Sequence, residues 1–203
     1  MPTRLHRRSR KAPVIARRGK GKRPAVFLDR DGVLNRSLIR DGKPYAPRRL
    51  EDFRLLPGAA RAVADLKAAG FVVVVVTNQP DVGHGLIAPE TLEAMHARLR
   101  VAAPVDAILV CTHRQDEGCF CRKPKPGLIE RAIRRFGIAR KASYMVGDRW
   151  NDVVAGSAAG LYTIFLDRGY TEGLVEAPDL AVKSLSEAIL CILGRHRHGK
   201  ENT

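Results

Sequence analysis

The stretch Ala25–Asn35 reads AVFLDRDGVLN, in which four apolar residues lead directly into Asp29 and Asp31. Two aspartates so close together repel each other, and a buried carboxylate is costly unless it is paired or binds a metal ion. An Asp-Gly pair also suits an ordinary tight turn. The combination with the motifs described below favours a functional site at the end of a buried strand.

Four further apolar runs follow along the chain, at residues 71–77, 105–111, 143–148 and 162–167. They are continuous rather than alternating, as is typical of strands buried on both faces of a parallel sheet. Helical periodicity lies between and after them, at residues 58–70, 89–100, 127–137, 150–160 and 184–193. This order predicts an α/β fold, a doubly wound, Rossmann-like three-layer sandwich with a mainly parallel sheet. The polar segment 36–57 predicts a flap and no large cap domain.

The net charge of +15 is unevenly distributed over the 203 residues. Residues 1–23 hold ten Lys and Arg and no acid, which predicts a basic disordered tail ahead of one domain at 24–194. Residues that precede the true start, a nucleic-acid contact and an organelle transit peptide are alternatives for this tail. Residues 195–203 predict a second disordered tail. No run of 18 apolar residues occurs, so we expect no membrane span and a cytoplasmic location.

Polar residues follow several of the predicted strands. Asp29 and Asp31 follow the first strand, Thr77 and Asn78 the second, and Asp148 the fourth. In a parallel sheet these positions meet at the carboxyl edge, where ligands bind. Three carboxylates suit Mg²⁺, and a metal-bound aspartate can act as a nucleophile toward phosphorus. A threonine and a lysine, from Lys123 or Lys125, would then stabilise the transferring phosphoryl group.

The segment CTHRQDEGCFC predicts a zinc site. Its spacing, C-x-H-x5-C-x-C, brings together Cys111, His113, Cys119 and Cys121. Three thiolates and one imidazole match a closed tetrahedral structural Zn²⁺ site, which would pin the loop that leads into Arg122 and Lys123. A disulfide is disfavoured in the cytoplasm, and a redox pair more often has the spacing C-x-x-C.

Four segments together, FLDRDGVLN, VVVTNQ, CRKPKPG and YMVGDRWNDVVAG, resemble the haloacid dehalogenase superfamily of phosphatases. The resemblance covers residues 24–194. It is strongest to the branch that contains the heptose bisphosphate phosphatases and the histidinol-phosphate phosphatases. It implies a Mg²⁺-dependent phosphatase that works through an aspartyl-phosphate.

The resemblance also implies roles for individual residues. Asp29 matches the nucleophile and a Mg²⁺ ligand, and Asp31 matches the general acid and base, whose backbone carbonyl binds the metal. The other matching residues are the Mg²⁺ ligand Asp148, the phosphoryl-binding pair Thr77 and Asn78, the family lysine Lys123, and the basic substrate ligands Arg122 and Arg149. Asp152 fits either a residue that supports the loop after Asp148 or an ordinary acid in the first turn of a helix.

The substrate prediction depends on the loop TNQPDVGHG. His84 stands where the heptose phosphatases have an arginine, while Asn35 and Gly85 fit that group. We expect D-glycero-D-manno-heptose 1,7-bisphosphate, with histidinol phosphate or another small sugar or polyol phosphate as alternatives. A nucleic-acid-binding or end-processing protein is a hypothesis of another class, disfavoured because aromatic residues are 5% of the chain and the basic charge lies in the tail. We expect a monomer.

Overall fold

The computed structural model describes residues 22–201, and its centre is a six-stranded sheet in which every strand pairing is parallel. Its strands are β1 (Ala25–Leu28), β4 (Val72–Asn78), β5 (Ala107–Cys111), β6 (Tyr144–Gly147), β7 (Tyr162–Leu166) and β8 (Leu180–Val182). Their order across the sheet is β5-β4-β1-β6-β7-β8. The five predicted strands are therefore all present, and β8 is an additional edge strand.

Six helices accompany the sheet among the described residues. They are α1 (Ala59–Ala68), α2 (Pro80–Gly83), α3 (Pro89–Ala102), α4 (Gly127–Phe136), α5 (Trp150–Ala158) and α6 (Leu185–Glu201). Three short 3-10 turns lie at Leu50–Asp52, Gln115–Glu117 and Arg140–Ala142. No helix within residues 22–201 is long and apolar enough to cross a membrane.

The core is divided into two layers by the sheet. Helices α1, α3 and α6 pack against one face, where Leu66 and Met95 are completely buried. Helices α4 and α5 cover the other face, around Ile129. Successive β1 residues point to opposite faces, so Leu28 belongs to the first layer and Phe27 to the second. The predicted three-layer sandwich is confirmed, and the continuous apolar runs follow from burial on both faces.

The segment between β1 and α1 forms a small flap instead of a cap domain. An antiparallel hairpin, β2 (Leu38–Arg40) with β3 (Lys43–Tyr45), stands apart from the main sheet. The bend of the hairpin needs left-handed backbone at Asp41 and Gly42, with φ of 50° and 70°. The segment therefore supplies a short flap, as the sequence predicts.

The predicted ends of the domain need two corrections. Arg23 pairs with Ile138 beside the sheet, so the domain begins at least one residue before position 24. Helix α6 continues to Glu201, so a disordered tail at 195–203 is wrong for residues 195–201. One reason is that the Arg195 guanidinium lies 4.1 Å from the centre of the Tyr162 ring, a cation–π contact that favours the helix continuing. The predicted disorder of residues 1–21 lies outside the described residues.

Candidate active site

The carboxyl end of β1 delivers Asp29 to the centre of the sheet edge, between β4 and β6. Its backbone N–H donates to the carbonyl of Val146 at 3.0 Å, which continues the β1–β6 pairing for one more residue. The chain then turns through Gly32, whose φ is +81°. A Cβ at Gly32 would lie 1.7 Å from Oδ2 of Asp148, so only glycine allows the β1 loop to approach that carboxylate.

Lys123 lies at the centre of the carboxylates and is 3% exposed. Its Nζ is 2.8 Å from Asp29 Oδ1 and 2.6 Å from Asp152 Oδ1, and it donates to the carbonyl of Val76 at 2.8 Å. Burial alone would lower the pKa of Lys123, but the charges of Asp152 and Asp29 outweigh burial and raise it. The lysine is therefore a fixed cation beside the predicted nucleophile.

The side chain of Asn78 holds the Lys123 loop in place. Its Nδ2 donates to the Lys123 carbonyl at 2.9 Å, and its Oδ1 accepts from the Lys123 N–H at 3.1 Å. The sequence assigns Asn78 to phosphoryl binding together with Thr77. Both ends of its side-chain amide contact the protein backbone, so the Asn78 side chain positions the lysine, and phosphoryl binding by this residue stays a prediction.

Asp29, Asp148 and Asp152 form a buried acidic trio whose ligand oxygens lie within 4.8 Å of one another. Burial raises the pKa of Asp29 to about 7, against the lowering effect of Lys123, and burial with the charges of Asp29 and Asp152 raises the pKa of Asp148. Three carboxylates around one lysine leave an excess of negative charge. Oδ1 of Asp148 is buried without a hydrogen-bond partner in the described chain. A hard divalent cation with oxygen ligands fits this charge and this free oxygen.

Asp152 is the site residue that the sequence left undecided. It lies in the first turn of α5 and is completely buried. Its Oδ2 accepts from the N–H of Arg149 at 3.2 Å, while Oδ1 faces Lys123. It therefore both caps the helix and completes the carboxylate cluster, so the two sequence hypotheses are compatible.

Asp31 stands beside this trio, not within it. Its carboxylate accepts from Asn35 Nδ2 at 2.8 Å and from Gln79 Nε2 at 2.7 Å. Gln79 Nε2 also donates to Thr77 Oγ1 at 2.9 Å, so it links two of the predicted site residues. Gln79 is 1% exposed, and nothing in its sequence position alone indicates this role.

The site opens into a cleft of about 700 Å³. The predicted site residues Asp29, Asp31, Thr77, Asn78, Lys123, Asp148, Arg122 and Arg149 line it, together with Lys43, Tyr45, Arg48, His84, Gln115 and Trp150 among others. Such a volume suits a small-molecule substrate. The flap and the loop between Cys111 and Cys121 therefore both border the space next to Asp29.

The two predicted basic ligands differ in how they are held. Arg122 has a buried Nη1 without a hydrogen-bond partner among the described residues. Arg149, in contrast, donates from Nε to Glu172 Oε2 at 2.8 Å, and its Nη2 contacts the other oxygen of the same carboxylate. Arg122 is thus available to an anion, whereas Glu172 already neutralises Arg149.

The Cys–His cluster assembles as its spacing predicts. The sulfur of Cys121 lies 3.2 Å from that of Cys111 and 3.5 Å from that of Cys119, and 3.1 Å from His113 Nδ1. All four cysteines of the chain are free thiols. In a tetrahedral site with Zn–S bonds of about 2.3 Å, the sulfur atoms would be about 3.8 Å apart, somewhat more than the 3.2 Å and 3.5 Å between the sulfur atoms here. Burial raises the pKa of Cys111 to about 12, so its thiol keeps its proton when no cation is near. A bound cation would shift this group to the thiolate.

A parallel sheet with a carboxylate–lysine cluster at its carboxyl edge fits the class of the HAD-like hydrolases. A family model described as HAD-hydrolase-like matches residues 120–188. A D-glycero-beta-D-manno-heptose-1,7-bisphosphate 7-phosphatase of Pseudomonas putida is 38% identical over 156 residues, which cover 74% of this chain and 86% of that protein. A D-glycero-alpha-D-manno-heptose-1,7-bisphosphate 7-phosphatase of Mycobacterium bovis is 35% identical over 175 residues, 81% and 90% of the two chains.

Solved structures agree with these relatives. The D,D-heptose 1,7-bisphosphate phosphatase of B. bronchiseptica, complexed with magnesium and phosphate, matches with a TM-score of 0.74 and 30% identity. The match covers 85% of this chain and 99% of that chain. The chain therefore belongs to the family of the D-glycero-D-manno-heptose-1,7-bisphosphate 7-phosphatases.

Proposed function

We propose that this protein hydrolyses the 7-phosphate of a D-glycero-D-manno-heptose 1,7-bisphosphate and leaves the heptose 1-phosphate. The observation that carries the proposal is the cluster of Asp29, Lys123 and Asp148 on the floor of an open cleft. The curated relatives carry the names of enzymes for this substrate. Phosphoryl transfer needs positioned charge more than complex chemistry, and this cluster supplies such charge.

The reaction takes place in two steps on the chain's own residues. The Asp29 carboxylate attacks phosphorus, the bond from phosphorus to the sugar oxygen breaks, and Asp31 gives that oxygen a proton. Asp31 then takes a proton from a water molecule that attacks the aspartyl-phosphate, so that inorganic phosphate leaves and Asp29 is regenerated. Lys123 holds Asp29 in place and offsets the charge that develops.

Asp29 and Asp148 would hold Mg²⁺, with the backbone carbonyl of Asp31 as a third ligand. The ion supplies charge neutralisation at the carboxylates and the transferring phosphoryl group. Thr77 and Arg122 line the cleft, and Nη1 of Arg122 has no partner among the described residues, so we expect Thr77 Oγ1 and Arg122 to contact phosphate oxygens. Arg149 is a weaker candidate, because Glu172 already occupies its guanidinium.

Zn²⁺ in the Cys–His cluster would fix the loop that bears Arg122 and Lys123. Cys121 is the residue directly before Arg122, so a metal bound there restrains the backbone of both basic residues. A closed site with four protein ligands has a structural role, because it leaves no position for substrate. The expected cellular location remains the cytoplasm, where the thiols stay reduced. A monomer without a nucleic-acid partner remains the expectation.

The test is a comparison of kcat/KM in Mg²⁺ for both anomers of heptose 1,7-bisphosphate, for histidinol phosphate and for a panel of sugar phosphates. Phosphorus NMR of the product shows which phosphate has left. We expect a preference of about a hundredfold for one bisphosphate anomer, with the C1 phosphate retained. A preference for histidinol phosphate, or a flat profile, would refute the substrate while leaving the phosphatase chemistry in place.

A further inference from the structure

Arg30 lies between the two catalytic aspartates in sequence, and its side chain is completely buried. A buried guanidinium is costly unless it is paired and hydrogen-bonded. The two-step reaction described above gives this residue no part. Its contacts, however, lead to Asp31, the proposed general acid and base.

The Arg30 guanidinium binds the Asp31 carboxylate through two nitrogens. Nε lies 3.2 Å from both carboxylate oxygens, and Nη2 lies 3.0 Å from Oδ1 and 2.9 Å from Oδ2. Because the guanidinium is planar and rigid, a two-pronged contact fixes the direction of the carboxylate as well as its position. A lysine at position 30 would supply charge without this orientation.

The third guanidinium nitrogen anchors Arg30 to α3. Nη1 lies 3.2 Å from Nε2 of His96, and the guanidinium carbon lies 5.5 Å from the centre of the Phe53 ring. His96 is 3% exposed, and burial together with the Arg30 charge lowers its pKa to about 4. The imidazole is therefore neutral, with Nε2 free to accept from Arg30. His96 Nδ1 faces Glu93 Oε2 at 3.8 Å.

We propose that Arg30, anchored by His96, is a positioning residue that orients the Asp31 carboxylate for proton transfer to the leaving sugar oxygen. The proposal rests on the proposed function, in which Asp31 is the general acid. Proton transfer requires a short and directed hydrogen bond, so a carboxylate that rotates freely transfers its proton less often. His96 belongs to α3, so this helix helps to hold the Asp31 carboxylate through Arg30.

The test compares two leaving groups in the holoenzyme. A sugar or other alkyl phosphate needs a proton on the departing oxygen, whereas 4-nitrophenolate leaves without one. For Arg30→Lys we expect kcat/KM for the alkyl phosphate to fall about a hundredfold, the scale of general acid catalysis. We expect kcat/KM for 4-nitrophenyl phosphate to change less than about threefold, since the same nucleophile attacks both substrates.

A second set of variants keeps the test valid if Arg30→Lys does not fold. His96→Leu removes the acceptor for Nη1, and we expect the same selective loss at about tenfold, whereas His96→Gln keeps an acceptor and should restore most of kcat/KM. The matched control is Arg98→Met. Arg98 also extends from α3, but it donates to the carbonyls of Leu50 and Phe53 instead of to Asp31.

The outcomes separate the inference from the proposed function. Equal losses on both substrates, or the same selective loss in Arg98→Met, would mean that Arg30 only stabilises the fold and would overturn the inference. Unchanged kcat/KM in the Arg30 and His96 variants would overturn it as well. A wild-type enzyme without activity on any phosphate ester would refute the proposed function, and the inference would fall with it.

Discussion

Replacing Lys123 with methionine should destabilise the metal-free protein by about 4 kcal/mol. The substitution keeps the shape of the aliphatic chain but removes the cation that contacts Asp29 at 2.8 Å and Asp152 at 2.6 Å. Removing one partner of a buried ion pair lowers the free energy of unfolding by about 3–5 kcal/mol, because the other charge stays buried and unpaired. Against a total stability of about 5–15 kcal/mol, this is a large loss.

The loss should depend on pH, because a buried carboxylate can escape the penalty by taking up a proton. Burial already raises the pKa of Asp29 to about 7, and Lys123 is the main influence that lowers it, so the pKa rises further in the variant. A carboxyl group with a raised pKa contributes stability below its unfolded pKa and loses it as pH rises through the folded value. The penalty is therefore smaller near about pH 6 than near about pH 8.

Urea unfolding in EDTA at both pH values measures this effect. Lys125→Met is the matched control, because Lys125 is two residues away, exposed, and donates from Nζ to the carbonyl of Gly118 at 2.6 Å. We expect the control to change stability by less than about 1 kcal/mol. A similar loss in the two variants, or a Lys123→Met penalty that grows toward acid pH, would contradict the electrostatic account of the site.

Three further predictions test the metal sites and the nucleophile. Asp29→Asn should reduce phosphate release by at least about a thousandfold with an unchanged circular dichroism spectrum, and retained turnover would exclude Asp29 as the nucleophile. The calorimetric affinity for Mg²⁺ should fall as pH drops through about 7, by up to about tenfold per unit, because burial-raised pKa values let protons compete at Asp29 and Asp148; an affinity independent of pH would argue against this site. Cys119→Ser should lose the bound zinc in elemental analysis while Cys191→Ser, outside the cluster, retains it; equal zinc contents would refute the assignment.

The strands at the centre of the sheet could be predicted because strands buried on both faces consist almost entirely of apolar residues. Val72–Asn78 carries five consecutive valines, a run that fits a strand covered by helices on both faces. The edge strand Leu180–Val182 is short and partly exposed, and its pattern resembles that of a loop. Tertiary pairing with β7 defines it, and no local signal does.

The candidate site divides in the same way between local and tertiary information. The position of Asp29 after a strand and the spacing of Cys111 to Cys121 indicate chemistry from sequence alone. The inclusion of Asp152 in the carboxylate cluster depends on its distance to Lys123, which comes from another segment. The pairing of Arg149 with Glu172, 23 residues away, likewise depends on how a loop folds back, and a basic residue in a motif does not show its partner.

The position of the phosphoryl group during turnover tests the central claim most directly. Enzyme in excess over a radiolabelled phosphate ester in Mg²⁺ is quenched in acid within the first turnover, digested and mapped by mass spectrometry. The account predicts label on the peptide that contains Asp29, and no label in Asp29→Asn. Label on a different peptide, or product formation without any labelled protein at any time, would contradict an aspartyl-phosphate at Asp29.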